Sequence, residues 1–100
     1  MVSEINSIDS IRKGTVVVDF YTTTCGPCKA MNPILEAISN EFTNVKVAKV
    51  EVTQNPEVSQ MFGVMSVPTV IIMKDCQVKH VLRGLSTKEM IRSAMKQYAL

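Results

Sequence analysis

Cys25 and Cys28 flank Gly26-Pro27, directly after the apolar, strand-like run of residues 15–21 and directly before a helix-patterned segment. Two cysteines at this spacing can close a small disulfide and reopen it. At a helix start they meet the partial positive charge and unpaired N–H groups of the first turn, which favour a thiolate over a thiol. The thiolate is the attacking species in thiol–disulfide exchange, and a second cysteine resolves the mixed disulfide that forms. The same spacing fits half of a zinc site, with Cys76-x3-His80 as the other half, so spacing alone leaves two chemistries open. Short zinc modules usually display paired knuckles on loops, whereas here the first pair opens a helix behind a strand. Proline between the cysteines suits a helix start, where no N–H is needed.

Asp19 is the next residue able to do chemistry. It interrupts Val16-Val17-Val18-Asp19-Phe20, where an ionised carboxylate is costly if it is buried without a partner. Burial would push its carboxyl up, so that it could accept and return a proton near neutral pH. The competing reading is a carboxylate that turns to solvent at a bulge.

The elements that must hold these groups alternate along the chain. Residues 2–5 suit a short strand, and a weak helix follows with Ile8 and Ile11 inward and Gly14 ending it. Residues 16–21 form a β-branched run that suits a strand covered on both faces. Met31, Ile34, Leu35, Ile38 and Phe42 then fall on one helical face, with Pro33 expected to kink the helix. Residues 45–52 read as a second strong strand. Asn55-Pro56 opens a short helix with Val58, Met61 and Phe62 inward, stopped by Gly63. Residues 67–73 and 77–82 flank a turn at Lys74-Asp75-Cys76, the pattern of an antiparallel hairpin. Ser86 and Glu89 have capping-box spacing before a last helix expected to bury Ile91, Ala94, Met95 and Tyr98. This order implies an α/β architecture, a mixed sheet with helices on both faces.

One hundred residues, 46% of them hydrophobic, are expected to form a single domain over residues 1–100. A net charge of +2 gives no indication of a nucleic-acid or membrane partner. No stretch approaches the length of a membrane span, and residues 1–14 do not resemble a signal peptide. The expected location is therefore the reducing cytoplasm, where a cysteine pair is catalytic or metal-binding rather than a staple.

The chain resembles the thioredoxin family over nearly its whole length. The resemblance is carried by Val18-Asp19-Phe20, Cys25-Gly26-Pro27-Cys28-Lys29, Pro33, Val47-Ala48-Lys49, Gln54-Asn55-Pro56, Val67-Pro68-Thr69 and Gly84, in the family's order and spacing. It implies a thioredoxin fold, a central five-stranded mixed sheet flanked by four α-helices. It also implies a monomeric protein-disulfide reductase that uses a Cys25–Cys28 dithiol, binds no separate cofactor or metal, and is recycled by a thioredoxin reductase. By the same carry-over Cys25 is the nucleophile and Cys28 the resolving thiol. Asp19 is the buried carboxylate behind them, its offset from Cys25 matching the family, and Lys49 is the family's buried lysine nearby. Pro68 is the family's cis-proline facing the disulfide, and Val67 offers backbone groups to an extended substrate beside Gly84. Thr24, Gly26 and Pro27 complete the substrate-facing set.

Four positions depart from the family pattern. Thr24 stands where tryptophan usually precedes the first cysteine, Tyr21 replaces a second tryptophan, and Thr53 replaces the aspartate that supports that ring. The aromatic shelf around the disulfide is thereby reduced, which bears on docking and not on the redox step. The fourth is Cys76, in a turn where glycine is common, read as an inert surface residue. His80, the one histidine, shares strand parity with Val78 and Leu82 and is expected to be half-buried and structural. The seven methionines read mostly as adaptable core packing. A binding or scaffold module on the same fold is the alternative function, disfavoured because a scaffold has no use for a buried proton acceptor.

Overall fold

The computed structural model describes residues 1–98. Five strands form one sheet: β1 (Val2–Glu4), β2 (Thr15–Tyr21), β3 (Lys46–Glu51), β4 (Thr69–Lys74) and β5 (Gln77–Arg83), in the order β1-β3-β2-β4-β5. β1 and β2 run parallel to β3, while β4 and β5 add antiparallel to β2. The strand with the longest β-branched run, β2, is central, and its residues 16–20 are buried from both sides.

Alternation along β2 divides the core into two layers. Val17, with Val47, Val70 and Ile72, packs under α1 (Gly26–Glu41) and α3 (Lys88–Gln97) through Met31, Leu35, Ile38, Ile91 and Met95. Val16, Val18 and Phe20 face the other way, toward Ile11, Val50, Ile71 and the flank of α2 (Pro56–Met61). Burying each large side chain contributes roughly 1.5–3 kcal/mol, so the apolar stripe of α1 fixes that helix over the end of β2.

Three α-helices are present among the described residues rather than four. Residues Ile8–Ile11 form a single 3-10 turn, because the six residues between the Ser7 cap and Gly14 are too few to nucleate and propagate an α-helix. α1 continues through Pro33, which lies on its exposed side where water can satisfy the freed carbonyl.

Tertiary context moved several local details. The α3 cap is Thr87, whose hydroxyl accepts from the Met90 N–H at 3.1 Å, while the Ser86 hydroxyl is buried without a hydrogen-bond partner among the described residues and Glu89 pairs with Arg92. Asn55 holds the α2 cap position, but its amide donates to the Glu51 carbonyl at 2.9 Å instead of capping. Val58 and Phe62 pack inward as expected, while Met61 is exposed. Tyr98 ends α3 partly exposed, its ring centroid 5.8 Å from that of His80. A register shift between Ile72 and Met73 pairs His80 with Ile72 and Val78 with Met73. These partners belong to opposite layers, so His80 and Val78 do not share a face.

Candidate active site

β2 delivers the chain to the start of α1, and the two cysteines sit at that junction. Cys25 is the N-cap residue, in extended conformation, and Pro27 occupies the first turn where its missing N–H costs nothing. The Cys28 N–H donates to Cys25 Sγ at 3.1 Å, so a free donor of the helix start is aimed at the sulfur. The pair is joined in a disulfide with Cα atoms 5.2 Å apart. Cys28 is only 3% exposed, whereas Cys25 is half-buried and Thr24, Gly26 and Pro27 are exposed around it. The outer sulfur is therefore open to attack and the inner one shielded.

Asp19 is fully buried and neither of its oxygens has a hydrogen-bond partner among the described residues. β2 pairs without interruption on both edges at this point, so there is no bulge to turn the carboxylate outward. Desolvation pushes its pKa up to about 7, against the lowering effect of the Lys49 charge and with a smaller push from Glu4.

Lys49 is the register partner of Asp19 on β3 and projects into the same layer. Its ammonium does not pair with that carboxylate. It donates to Asn32 Oδ1 at 2.7 Å and lies 4.2 Å from the centroid of the Tyr21 ring. The Tyr21 hydroxyl in turn donates to Glu4 Oε1 at 2.6 Å; burial first, and then this bond, push the phenol above its ordinary range. Thr53, which replaces the family's ring-supporting aspartate, gives its backbone N–H (2.9 Å) and its hydroxyl to Glu51, which holds that carboxyl below the ordinary value. Tyr21, Cys28, Asn32 and Lys49 line one cavity of about 160 Å³.

Just before β4, whose Thr69 pairs with Phe20 near the C-terminal end of β2, the Val67–Pro68 peptide is cis. The Gly84 N–H donates to the Pro68 carbonyl at 2.8 Å. Glycine at 84 answers to backbone conformation, φ +84°, and not to crowding, since a Cβ there would meet nothing within 4 Å from the described residues beyond its two chain neighbours. A second cavity, about 260 Å³, opens beside this loop between Thr22, Val52, Val64, Met65 and Val67.

The zinc alternative fails on geometry. Asp75 and Cys76 lie at the hairpin turn, and Asp75 is hydrogen-bonded to Gly14 at the opposite end of β2 from Cys25. Seven strand residues separate the two ends, roughly 20 Å, so the two halves of the ligand set do not converge.

Residues 3–97 match the family model described as Thioredoxin. The chain belongs to the thioredoxin family. It is 42% identical to thioredoxin of Chlamydia muridarum over 89 residues, covering 89% of this chain and 85% of the relative. It is 40% identical to thioredoxin of Listeria monocytogenes over 87 residues, 86% of this chain and 84% of the relative. Mitochondrial thioredoxin 3 of Saccharomyces cerevisiae, solved in its oxidised form, superposes with a TM-score of 0.86 at 26% identity over 96% of this chain and 94% of that one. As a thioredoxin-family protein carrying the adjacent cysteine pair, the chain is a thiol–disulfide oxidoreductase, a protein-disulfide reductase whose redox couple is Cys25–Cys28 itself. Disulfide-bonded proteins and thioredoxin reductase are the partners this family implies. No helix among the described residues is long and apolar enough to cross a membrane.

Glu4 and Asn32 escaped the reading of the sequence. Asn32 carries a signal in retrospect, since it lies one helical turn beyond Cys28 on the same face. Glu4 carried none, because its place opposite Lys49 depends on the pairing of β1 with β3.

Proposed function

We propose that Cys25 is the nucleophile of a cytoplasmic, monomeric protein-disulfide reductase formed by one domain over residues 1–100. The Cys25 thiolate attacks one sulfur of a substrate disulfide; the other substrate sulfur leaves as a thiolate, and a mixed disulfide forms. Cys28 then attacks Cys25 Sγ, its proton passing to the Asp19 carboxylate. The second substrate thiolate is released and the Cys25–Cys28 disulfide closes, two electrons having passed to the substrate. A thioredoxin reductase restores the dithiol.

The observation that carries this reading is the asymmetry of the pair: an accessible sulfur receiving a helix-start N–H, and a buried sulfur behind it. The N–H and the helix dipole favour negative charge on Cys25 once the pair is reduced. Thr24, Gly26 and Pro27 form one bank of the docking surface. Val67 and Pro68 form the other, with Gly84 bracing Pro68 through its N–H. An extended substrate segment pairs with the backbone of Val67 in strand fashion, and the cavity beside Met65 takes an apolar side chain from it.

Trapping tests the assignment. Cys28→Ser cannot resolve, so it should hold substrate proteins on Cys25 as dithiothreitol-releasable mixed disulfides, whereas Cys25→Ser should hold none. Adducts that form equally on both variants would overturn the assignment. Wild-type turnover no faster than dithiothreitol alone would favour the scaffold alternative.

A further inference from the structure

The arrangement around Lys49 has the form of a tether. A lysine ammonium standing in register with a buried carboxylate on the neighbouring strand is expected to pair with it, since adjacent strands lie about 4.8 Å apart, well within the reach of the side chain. Here it is held elsewhere from two directions. Asn32, on α1, accepts its hydrogen bond at 2.7 Å, and the face of Tyr21, on β2, lies 4.2 Å away. The ring is itself fixed by the 2.6 Å bond from its hydroxyl to Glu4 on β1. Both Asp19 oxygens are left without a hydrogen-bond partner among the described residues.

We propose that Asn32 and Tyr21 are positioning residues that hold the Lys49 ammonium off Asp19, keeping that carboxylate unpaired and able to take the Cys28 proton. The proposal rests on Asp19 being the proton acceptor. A direct ion pair would stabilise the ionised carboxylate and weaken it as a base, whereas a tethered charge leaves most of the desolvation in force. The charged and titratable groups near Asp19 come from four of the adjoining elements: Lys49 and Glu51 on β3, Glu4 on β1, Tyr21 on β2, and Cys28 and Lys29 on α1. β4 places Val70 beside Asp19, and α3 contributes Ile91, Ala94 and Met95 to this layer, none of them titratable.

The test is a carboxyl-carbon NMR titration of Asp19 in the oxidised protein, where Cys25 and Cys28 do not titrate. Asn32 is exposed on α1, and alanine is the better helix former, so Asn32→Ala retains the fold. Freed from Asn32, Lys49 should swing onto Asp19 and lower its midpoint by about one pH unit or more, the usual effect of an adjacent cation. Asn32→Gln, which keeps an amide acceptor, should return the midpoint toward wild type. In a Lys49→Met background the added Asn32→Ala change should have no further effect, because the tether has nothing to hold. Reduced Asn32→Ala should resolve mixed disulfides several-fold more slowly at pH 7, roughly 3- to 10-fold, with its pH profile displaced to lower pH. An Asp19 midpoint unmoved by Asn32→Ala, or one that falls equally without Lys49, overturns the tether. Resolution at the wild-type rate by Asp19→Asn would instead overturn the acceptor reading beneath it, a result distinct from an unmoved midpoint.

Discussion

The two ends of β2 each carry an aspartate and a cysteine, and they behave in opposite ways. Beyond its C-terminal end, Cys25 caps a helix and is bonded to buried Cys28, with Asp19 fully enclosed and without a hydrogen-bond partner among the described residues. Beside its N-terminal end, Asp75 and Cys76 lie exposed in the hairpin turn, where the Gly14 N–H donates to Asp75 Oδ1 at 2.9 Å and the Asp75 N–H returns a bond to the Gly14 carbonyl at 3.0 Å. Residue type is the same at both ends. What differs is a helix start aimed at one sulfur and the removal of water from one carboxylate, and these two physical conditions separate a reactive centre from a turn.

The sharpest break of that comparison is loss of a sulfur at each end. Cys25→Ser should reduce turnover of a protein disulfide to that of dithiothreitol alone, whereas Cys76→Ser should turn over as wild type. Comparable losses from the two variants would mean that the exposed thiol takes part.

The aspartates come next. Asp19→Ala removes a buried, unpaired carboxylate and should stabilise the fold by about 1–4 kcal/mol above neutral pH, the range seen when buried ionic groups give way to apolar ones. The sign follows from its pKa, raised from 3.8 to about 7 by burial. The folded wild type binds the extra proton, so its stability is greatest below the unfolded pKa and falls as pH rises through the folded one. The advantage of Asp19→Ala should therefore grow from pH 4 toward 7 and level off above. Urea unfolding across pH 4 to 9 measures it. Destabilisation at every pH would make Asp19 an ordinary structural residue. The same variant should also slow resolution of mixed disulfides.

Smaller effects are expected at the hairpin. Cys76 holds φ at +68°, a region that costs an L-residue on the order of 1 kcal/mol, so Cys76→Gly should raise stability by about that amount. Asp75→Ala should lower it by a similar or smaller margin, roughly 0.5–1.5 kcal/mol, through loss of the Gly14 bond and of an aspartate's tolerance for positive φ. Denaturation midpoints at fixed pH separate the two. A stabilising Asp75→Ala would show that carboxylates at both ends are burdens and remove the contrast.

Much of this was legible in the chain because local rules and the fold agree. The β-branched run of β2, the helical stripe Met31-Leu35-Ile38 and the turn at Asp75-Cys76 each announce their element, and the cysteine pair announces its chemistry at a helix start. Local rules misplaced residues where a neighbour competed. Ser86 has capping-box spacing but is buried, so Thr87 caps α3. Asn55 is a natural cap but gives its amide to Glu51. Met61 has the same inward spacing as Val58 and Phe62, yet it is exposed while those two pack against the core.

The sequence by itself determined the presence of the cysteine pair, its place between strand and helix, and the presence of a carboxylate in an apolar strand, because these depend on spacings of a few residues. Only the tertiary structure decided what surrounds that carboxylate. Burial without a partner depends on strands pairing across the sheet, which set Lys49 beside Asp19 and Glu4 beside Lys49. It depends equally on α1 lying over that layer, which brings Asn32 to the lysine. Charges separated by tens of residues act on one another only after the chain has closed on itself, and the proton affinity of Asp19 is set there.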